Sequence, residues 1–260
     1  MRRVAFDELE NDFEREYGWG DDERYFHNPN RRKASVFGYF LRLEEVIRLV
    51  REHSPGPRVA DLASAQGSFG LLLAERGFDV TAVDIKPEFL KYARRKHTHG
   101  NFRTVIGNLM DFRSPEPFDC VLAGEVIEHV AHPDQLLASA AANLRQGGVL
   151  VLTTPNGAEH GSTLPTYKQV TNLEELIPRQ FHWGDHLFLY TVEELRELFD
   201  QAGLDLIYAE KYHSSFVSQI KAPRYLMPLR LLKWLEKKTR HLSKGGKDST
   251  NLLIVVGRKR

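Results

Sequence analysis

Glu125, Glu128 and His129 stand together in the run Glu125-Val126-Ile127-Glu128-His129. If residues 125–129 form a turn of helix, the three share one face, because positions i, i+3 and i+4 are neighbours on a helix surface. Two carboxylates and an imidazole converging in this way can coordinate a divalent cation. Such a cation would bind a hydroxyl, lower its pKa and aim its oxygen. Without a cation, a neutral histidine could serve as general base. A purely structural role is also open, with Glu128 paired to a neighbouring base and His129 capping the turn. His182 and His186 follow later, in the run FHWGDHLFLYTVEEL.

A second constellation lies upstream, in VADLASAQGSFG from Val59 to Gly70. Asp61 ends an apolar run, and Ala63, Ser64, Ala65 and Gly67 then let backbone approach a ligand closely. A helix beginning at Ser68 would offer free N–H groups to a carboxylate or phosphate. Asp84 ends the next apolar run. In doubly wound sheets an acid there reaches ribose hydroxyls, because ligands bind beyond the carboxyl ends of the strands. A dinucleotide fingerprint would want glycine where Ala63, Ala65 and Ser68 stand.

The elements that must position these residues can be read from periodicity. Ala34 to His53 is an amphipathic helix, ended by Ser54-Pro55-Gly56-Pro57. Strands and helices then alternate: strand Arg58–Ala63, helix Ser68–Arg76, strand Asp79–Ile85, helix Pro87–His97 and strand Phe102–Ile106. A strand at Phe118–Ala123 precedes a helix from Pro133 to about Arg145, which Gly147-Gly148 is expected to close before strand Val149–Thr153. Residues 155–189 lack clear periodicity. Thr191-Val-Glu-Glu is a capping box that opens another helix. Leu204–Ala209 and Leu252–Val256 are the last strands, with an insert at about 214–250 between them. This rhythm implies a largely parallel sheet with helices on both faces.

Composition bounds the rest. The chain has 260 residues, 42% of them hydrophobic, and a formal net charge of +1. One α/β domain with additions fits that length, and no global pull toward nucleic acid or membrane is implied. Cys120 is the only cysteine, which fits a reducing cytoplasm and excludes a multi-cysteine zinc site. No stretch has the roughly 20 apolar residues needed to span a bilayer. With no apolar signal core at the N-terminus, a cytoplasmic protein is expected. The insert carries nine Lys and Arg between Lys221 and Lys247, against Glu236 and Asp248. It reads as a substrate lid, a peripheral membrane contact or, less favoured, a nucleic-acid contact.

From about Arg58 onward the chain resembles a class I methyltransferase. VADLASAQGSFG is similar to the family's first motif, DVTAVDI to the second and VIGNLMDF to the third. FDCVLAGEVIEHVAHPDQLLASAAANLRQGGVLVLTTPN is similar to the region from the fourth strand to the fifth. The resemblance implies a Rossmann-like α/β fold with a seven-stranded, mostly parallel sheet in the order 3-2-1-4-5-7-6, its last strand antiparallel. It implies S-adenosylmethionine as cofactor, at Asp61, Ala63, Ala65, Gly67, Asp84, Ile85, Asn108, Leu109 and Glu125. Asp84 would meet the ribose, Asn108 and Leu109 the adenine, and Gly67 the methionine part. Residues 1–53 form an N-terminal arm and covering helix, and 54–260 the methyltransferase domain. Tyr25, Phe26, His27, Tyr39 and Arg42 of the first part are candidates to cover the cofactor or to pack on the sheet.

The family usually has glycine where Ala63 and Ala65 stand. Each alanine adds a methyl group and disfavours positive φ, so a shifted loop, or a methyltransferase-like binding protein without catalysis, is one expectation. The region FHWGDHLFLYTVEEL resembles a block of the small-RNA 2′-O-methyltransferases, in which such a histidine completes a magnesium site, and the same Glu-x-x-Glu-His run occurs in ubiquinone-biosynthesis O-methyltransferases. By that likeness Glu125, Glu128, His129 and His186 would hold Mg²⁺ or another divalent cation, with Glu128 and His129 as catalytic residues. The expected reaction is O-methylation of a small-molecule, sugar or lipid-linked acceptor. RNA 2′-O-methylation using a divalent metal is the alternative.

Overall fold

Val59, Ala60, Asp61 and Leu62 are all buried, and so are Phe118 to Ala123. Strands with no exposed face belong in the middle of a parallel sheet covered on both sides. The computed structural model places them there and describes residues 1–159, 161–179 and 185–260. The elements are α1 (Ala34–His53), β1 (Arg58–Leu62), α2 (Ser68–Ala74), β2 (Asp79–Asp84), α3 (Pro87–Lys96), β3 (Asn101–Ile106) and β4 (Phe118–Gly124). They continue with α4 (Pro133–Asn143), β5 (Leu144–Pro155), α5 (Val192–Gln201), β6 (Leu204–Ser214), α6 (Leu229–Thr239) and β7 (Thr250–Lys259). A two-stranded ribbon, Ser243–Lys244 with Lys247–Asp248, lies outside the main sheet.

The seven strands lie in the order β3-β2-β1-β4-β5-β7-β6. Strands β1 to β5 pair in parallel, whereas β7 runs antiparallel to both β5 and β6. That is the order and polarity expected from the sequence. The chain reverses its winding between β1 and β4, so a crevice opens beyond their carboxyl ends.

Helices cover both faces. On one, Val46, Leu49 and Val50 of α1 join Leu73 of α2 against Val59, Val80 and Ile254. On the other, Leu136 and Leu137 of α4 and Leu195 and Phe199 of α5 meet Val121, Leu150 and Val255. The α5 cap forms as the sequence indicates: the Glu194 N–H donates to Thr191 Oγ1 at 3.2 Å, and the Thr191 N–H donates to Glu194 Oε2 at 2.7 Å.

One boundary differs from expectation. Gly147-Gly148 does not close α4, which ends at Asn143. Asn143 accepts from the Ser114 N–H and donates to the Phe112 and Ser139 carbonyls, which fixes the helix end early. The glycines serve β5 instead. Gly147 has φ +73°, a Cβ on Gly148 would lie 2.9 Å from the Arg145 carbonyl, and the β4–β5 register shifts between Phe118 and Cys120. They form a bulge that needs residues without side chains.

The N-terminal arm lies along α3. Val4, Leu9 and Tyr92 form a small cluster with Trp19, and the Lys96 Nζ meets Asp22 at 2.7 Å with both side chains buried. The insert packs Leu232 and Val217 against Phe37 and Leu41 of α1. Among the described residues, no helix is long and apolar enough to cross a membrane.

Candidate functional site

The loop after β1 turns by three left-handed residues: Ala63 at φ +54°, Ala65 at +45° and Gly67 at +72°. Both alanines therefore take the backbone that their methyl groups disfavour, at about 1–2 kcal/mol each. Hydrogen bonds override that cost. The Ala65 N–H donates to Asp84 Oδ2 at 2.9 Å, the Ser64 N–H to the Val83 carbonyl at 3.1 Å, and the Gly67 N–H to the Ser64 carbonyl at 2.8 Å. The loop is thus laced to the end of β2. Only glycine suits position 67, since a Cβ there would lie 2.9 Å from that of Ala93.

Asp61 is buried beneath this loop and accepts the Gly70 N–H at 3.0 Å, pinning the first turn of α2. Burial pushes its carboxyl up to about 7, with the charge of Asp84 adding and the Gly70 hydrogen bond opposing. It shapes the loop from below. Asp84 also accepts the Lys86 N–H at 2.8 Å; burial raises its carboxyl and its backbone hydrogen bonds oppose that. Ile85 is exposed, and Leu109 is buried behind Asn108, whose Oδ1 accepts the Met110 N–H. The ends of β2 and β3 are tied by the Gly107 N–H donating to the Asp84 carbonyl. Gln66 reaches the arm, donating from Nε2 to the Tyr17 carbonyl at 2.5 Å, so the arm covers one side of the loop.

Beyond β4 the site is made of side chains. Ligand atoms of Glu128, His129 and His186 all lie within 4.8 Å of one another. Glu128 and His129 sit on a single 3-10 turn, Ile127–His129. The Leu187 N–H donates to the Glu128 carbonyl at 2.8 Å, which brings His186 beside them. Glu128 is fully buried. Its Oε2 accepts from Thr154 Oγ1 at 3.0 Å, while Oε1 has no hydrogen-bond partner among the described residues. Burial, then the charge of Glu125, holds this carboxyl well above its ordinary value. His129 Nδ1 lies 2.8 Å from the Asp185 carbonyl, which can only accept. In the neutral ring Nδ1 therefore carries the proton and Nε2 is bare. Burial lowers the imidazole's pKa, which favours that neutral form.

Glu125 does not join them. It is not helical: its φ is +53°. Arg42 Nη1 stands 2.9 Å from its Oε2 and Thr153 Oγ1 donates to its Oε1 at 2.8 Å, so its carboxylate is held toward α1. Three of the four expected ligands converge, and the shared face expected for residues 125–129 does not form. Arg42 is committed to Glu125. His182 lies outside the described residues. Sequence reasoning missed Thr154 and the Asp185 carbonyl as second partners; the first is one of two adjacent threonines ending an apolar strand, and the second is a backbone atom without a side-chain signature.

Residues 31–209 match a family model described as a methyltransferase domain. The ubiquinone biosynthesis O-methyltransferase of Xylella fastidiosa (strain M23) is 31% identical over 201 residues, 73% of this chain and 74% of the relative. That of Xanthomonas campestris pv. campestris (strain B100) is 33% identical over 106 residues, 39% of this chain. The match spans less than half of that relative, 44%. Among solved structures, the magnesium protoporphyrin IX methyltransferase of Synechocystis PCC 6803 with bound SAH shares the fold with a TM-score of 0.58 at 13% identity, covering 96% of this chain and 97% of that one. A SAM-dependent methyltransferase from Archaeoglobus fulgidus does so with a TM-score of 0.58 at 16% identity, covering 94% and 100%. Strand order, the loop laced to Asp84 and these relatives agree: the chain belongs to the class I S-adenosylmethionine-dependent methyltransferases.

Proposed function

We propose that the chain transfers the methyl group of S-adenosylmethionine to a hydroxyl oxygen of a small-molecule, sugar or lipid-linked acceptor. We further propose that Glu128, His129 and His186 hold a divalent cation at the acceptor. The observation that carries this is Glu128: a fully buried carboxyl whose Oε1 has no hydrogen-bond partner among the described residues and lies 4.0 Å from His129 Nε2, with His186 beside them. Buried polar atoms are rarely left so. One carboxylate and two imidazoles suit manganese, zinc or iron better than magnesium, which prefers oxygen donors. Bound there, the cation supplies a Lewis acid that lowers the pKa of the acceptor hydroxyl.

The chain's own residues do the rest. The loop from Ala63 to Gly67 and Asp84 orient the donor, and the N-terminal arm covers one side of it. The Asp185 carbonyl fixes the His129 ring so that Nε2 faces the cluster. The acceptor oxygen, its hydroxyl proton released to solvent, attacks the methyl carbon in line, the carbon–sulfur bond breaks, and the sulfonium leaves as a neutral thioether. Orientation alone can lower such a barrier by roughly 7–11 kcal/mol. The O-methyltransferase relatives support oxygen as the acceptor atom. A net charge of +1 gives no support to an RNA acceptor.

A second reading keeps the same residues without a cation: His129 Nε2, bare and neutral, takes the hydroxyl proton. Methyl transfer to a panel of hydroxylated acceptors, before and after exhaustive chelation, separates the two. Loss of activity restored by manganese or zinc supports the cation. Activity that survives chelation removes it and leaves His129 as base.

A further inference from the structure

The outer side of the insert has no partner within the described chain. Helix α6 turns Leu232 toward α1, and its opposite side meets solvent. At about 3.6 residues per turn, Arg230, Trp234, Lys237 and Lys238 fall on one arc, with Trp234 at its middle. Trp234 is 54% exposed, and Leu226, in the turn just before the helix, is 89% exposed. Side chains of this size are normally covered, and exposed ones grouped together mark an interaction surface.

The charges of the insert divide by use. Lys233 pairs with Glu44 and Arg240 with Glu236, so these cations tie the insert to α1 and to itself. Arg230, Lys237 and Lys238 have no carboxylate partner among the described residues, and they flank Trp234. Lys233 and Arg240 thus brace the insert, whereas the three cations beside Trp234 have no such use among the described residues. A surface that takes both is anionic outside and apolar beneath. Tryptophan with lysines around it suits the headgroup region of a lipid bilayer.

Position links this face to the reaction. The insert leaves β6 at Ser214 and returns to β7 at Thr250. Leu252 pairs with Pro155 at the end of β5, so both roots lie at the carboxyl edge of the sheet, the edge that carries Glu128. We propose that this arc docks the protein on an anionic lipid surface, with Trp234 and Leu226 entering the headgroup region and Arg230, Lys237 and Lys238 meeting lipid phosphates. Docking so placed would bring the acceptor site close to the lipid surface. Only that use rests on the reaction proposed above; the docking itself does not.

Co-sedimentation of the full chain with phosphatidylcholine vesicles, with and without phosphatidylglycerol, tests it without donor or acceptor. A failure of the methyl-transfer reading therefore leaves the result standing. Binding is expected only with phosphatidylglycerol and should weaken at high salt. K237E/K238E should lower partitioning at least about tenfold. L226S/W234S should abolish it, and both variants should keep the wild-type melting temperature because these side chains are exposed. The proposal is overturned by no binding at low salt, by equal binding to neutral vesicles, or by binding that neither variant changes. A dimer in sedimentation velocity that L226S/W234S dissolves would assign the face to a second copy instead. RNA retention that K237E/K238E abolishes, without vesicle binding, would assign it to nucleic acid.

Discussion

The loop from Ala63 to Gly67 and the cluster around Glu128 follow neighbouring strands, β1 and β4, yet they are built in opposite ways. The loop is a backbone device. Its shape comes from three left-handed residues and from N–H groups laced to Asp84 and the Val83 carbonyl. Two of those residues are alanines, so the shape tolerates a change of residue type at a modest cost in strain. The cluster is a side-chain device. Its three side chains come from two segments, a 3-10 turn and the residues before α5, and they meet within 4.8 Å. A backbone-built site should bend under substitution, and a side-chain-built site should break.

Several substitutions test that contrast, and the largest effect is expected in the cluster. Glu128→Gln removes a ligand of the proposed cation and with it a Lewis acid that can supply several kcal/mol, so kcat should fall by on the order of 10²–10⁴ with cofactor affinity unchanged; steady-state kinetics with a cofactor titration checks both. Gly67→Ala is the one loop change expected to be severe. It adds a Cβ 2.9 Å from that of Ala93 at positive φ, so thermal unfolding should report a loss of about 1–3 kcal/mol, with weaker cofactor binding.

Asp61 gives the loop a pH signature. Its carboxyl is pushed up to about 7, above its value in the unfolded chain. The folded state therefore holds a proton that the unfolded state has lost. Stability is full at acid pH and falls as pH rises from about 4 through 7, at roughly 1.4 kcal/mol per unit. Urea titrations across that range should show the slope, and Asp61→Asn should flatten it.

The smallest effects should come from Ala63→Gly and Ala65→Gly. Each relieves positive-φ strain but adds unfolded-chain entropy, so the net change should stay within about 1 kcal/mol. Loss of cofactor binding in either would show that the loop depends on its side chains after all and would break the contrast.

The same division explains what was legible in the sequence. The parallel sheet with helices on both faces followed from the alternation of apolar runs and helices, because such a sheet buries whole strands and separates them by crossovers, whereas the strand order and the antiparallel last strand came from the family resemblance. The α5 cap was legible because both partners, Thr191 and Glu194, are local. Gly147-Gly148 was misread because a glycine pair closes helices and forms bulges equally well, and the deciding bonds come from Asn143 to the distant Phe112 and Ser114. Glu125 was misread because a helical face was assumed where Arg42, from α1, holds its carboxylate. The approach of His186 to Glu128 depends on bonds made by its two neighbours, the Leu187 N–H donating to the Glu128 carbonyl and the Asp185 carbonyl accepting from His129 Nδ1, which no spacing rule encodes.

Calorimetric titration of S-adenosylhomocysteine and of Mn²⁺, into wild type and into Glu128→Gln, separates the two devices most directly. If the loop holds the cofactor and the cluster serves the acceptor, both proteins bind S-adenosylhomocysteine with equal affinity and only wild type binds Mn²⁺. A Glu128→Gln protein that loses S-adenosylhomocysteine, or that keeps Mn²⁺, contradicts that assignment.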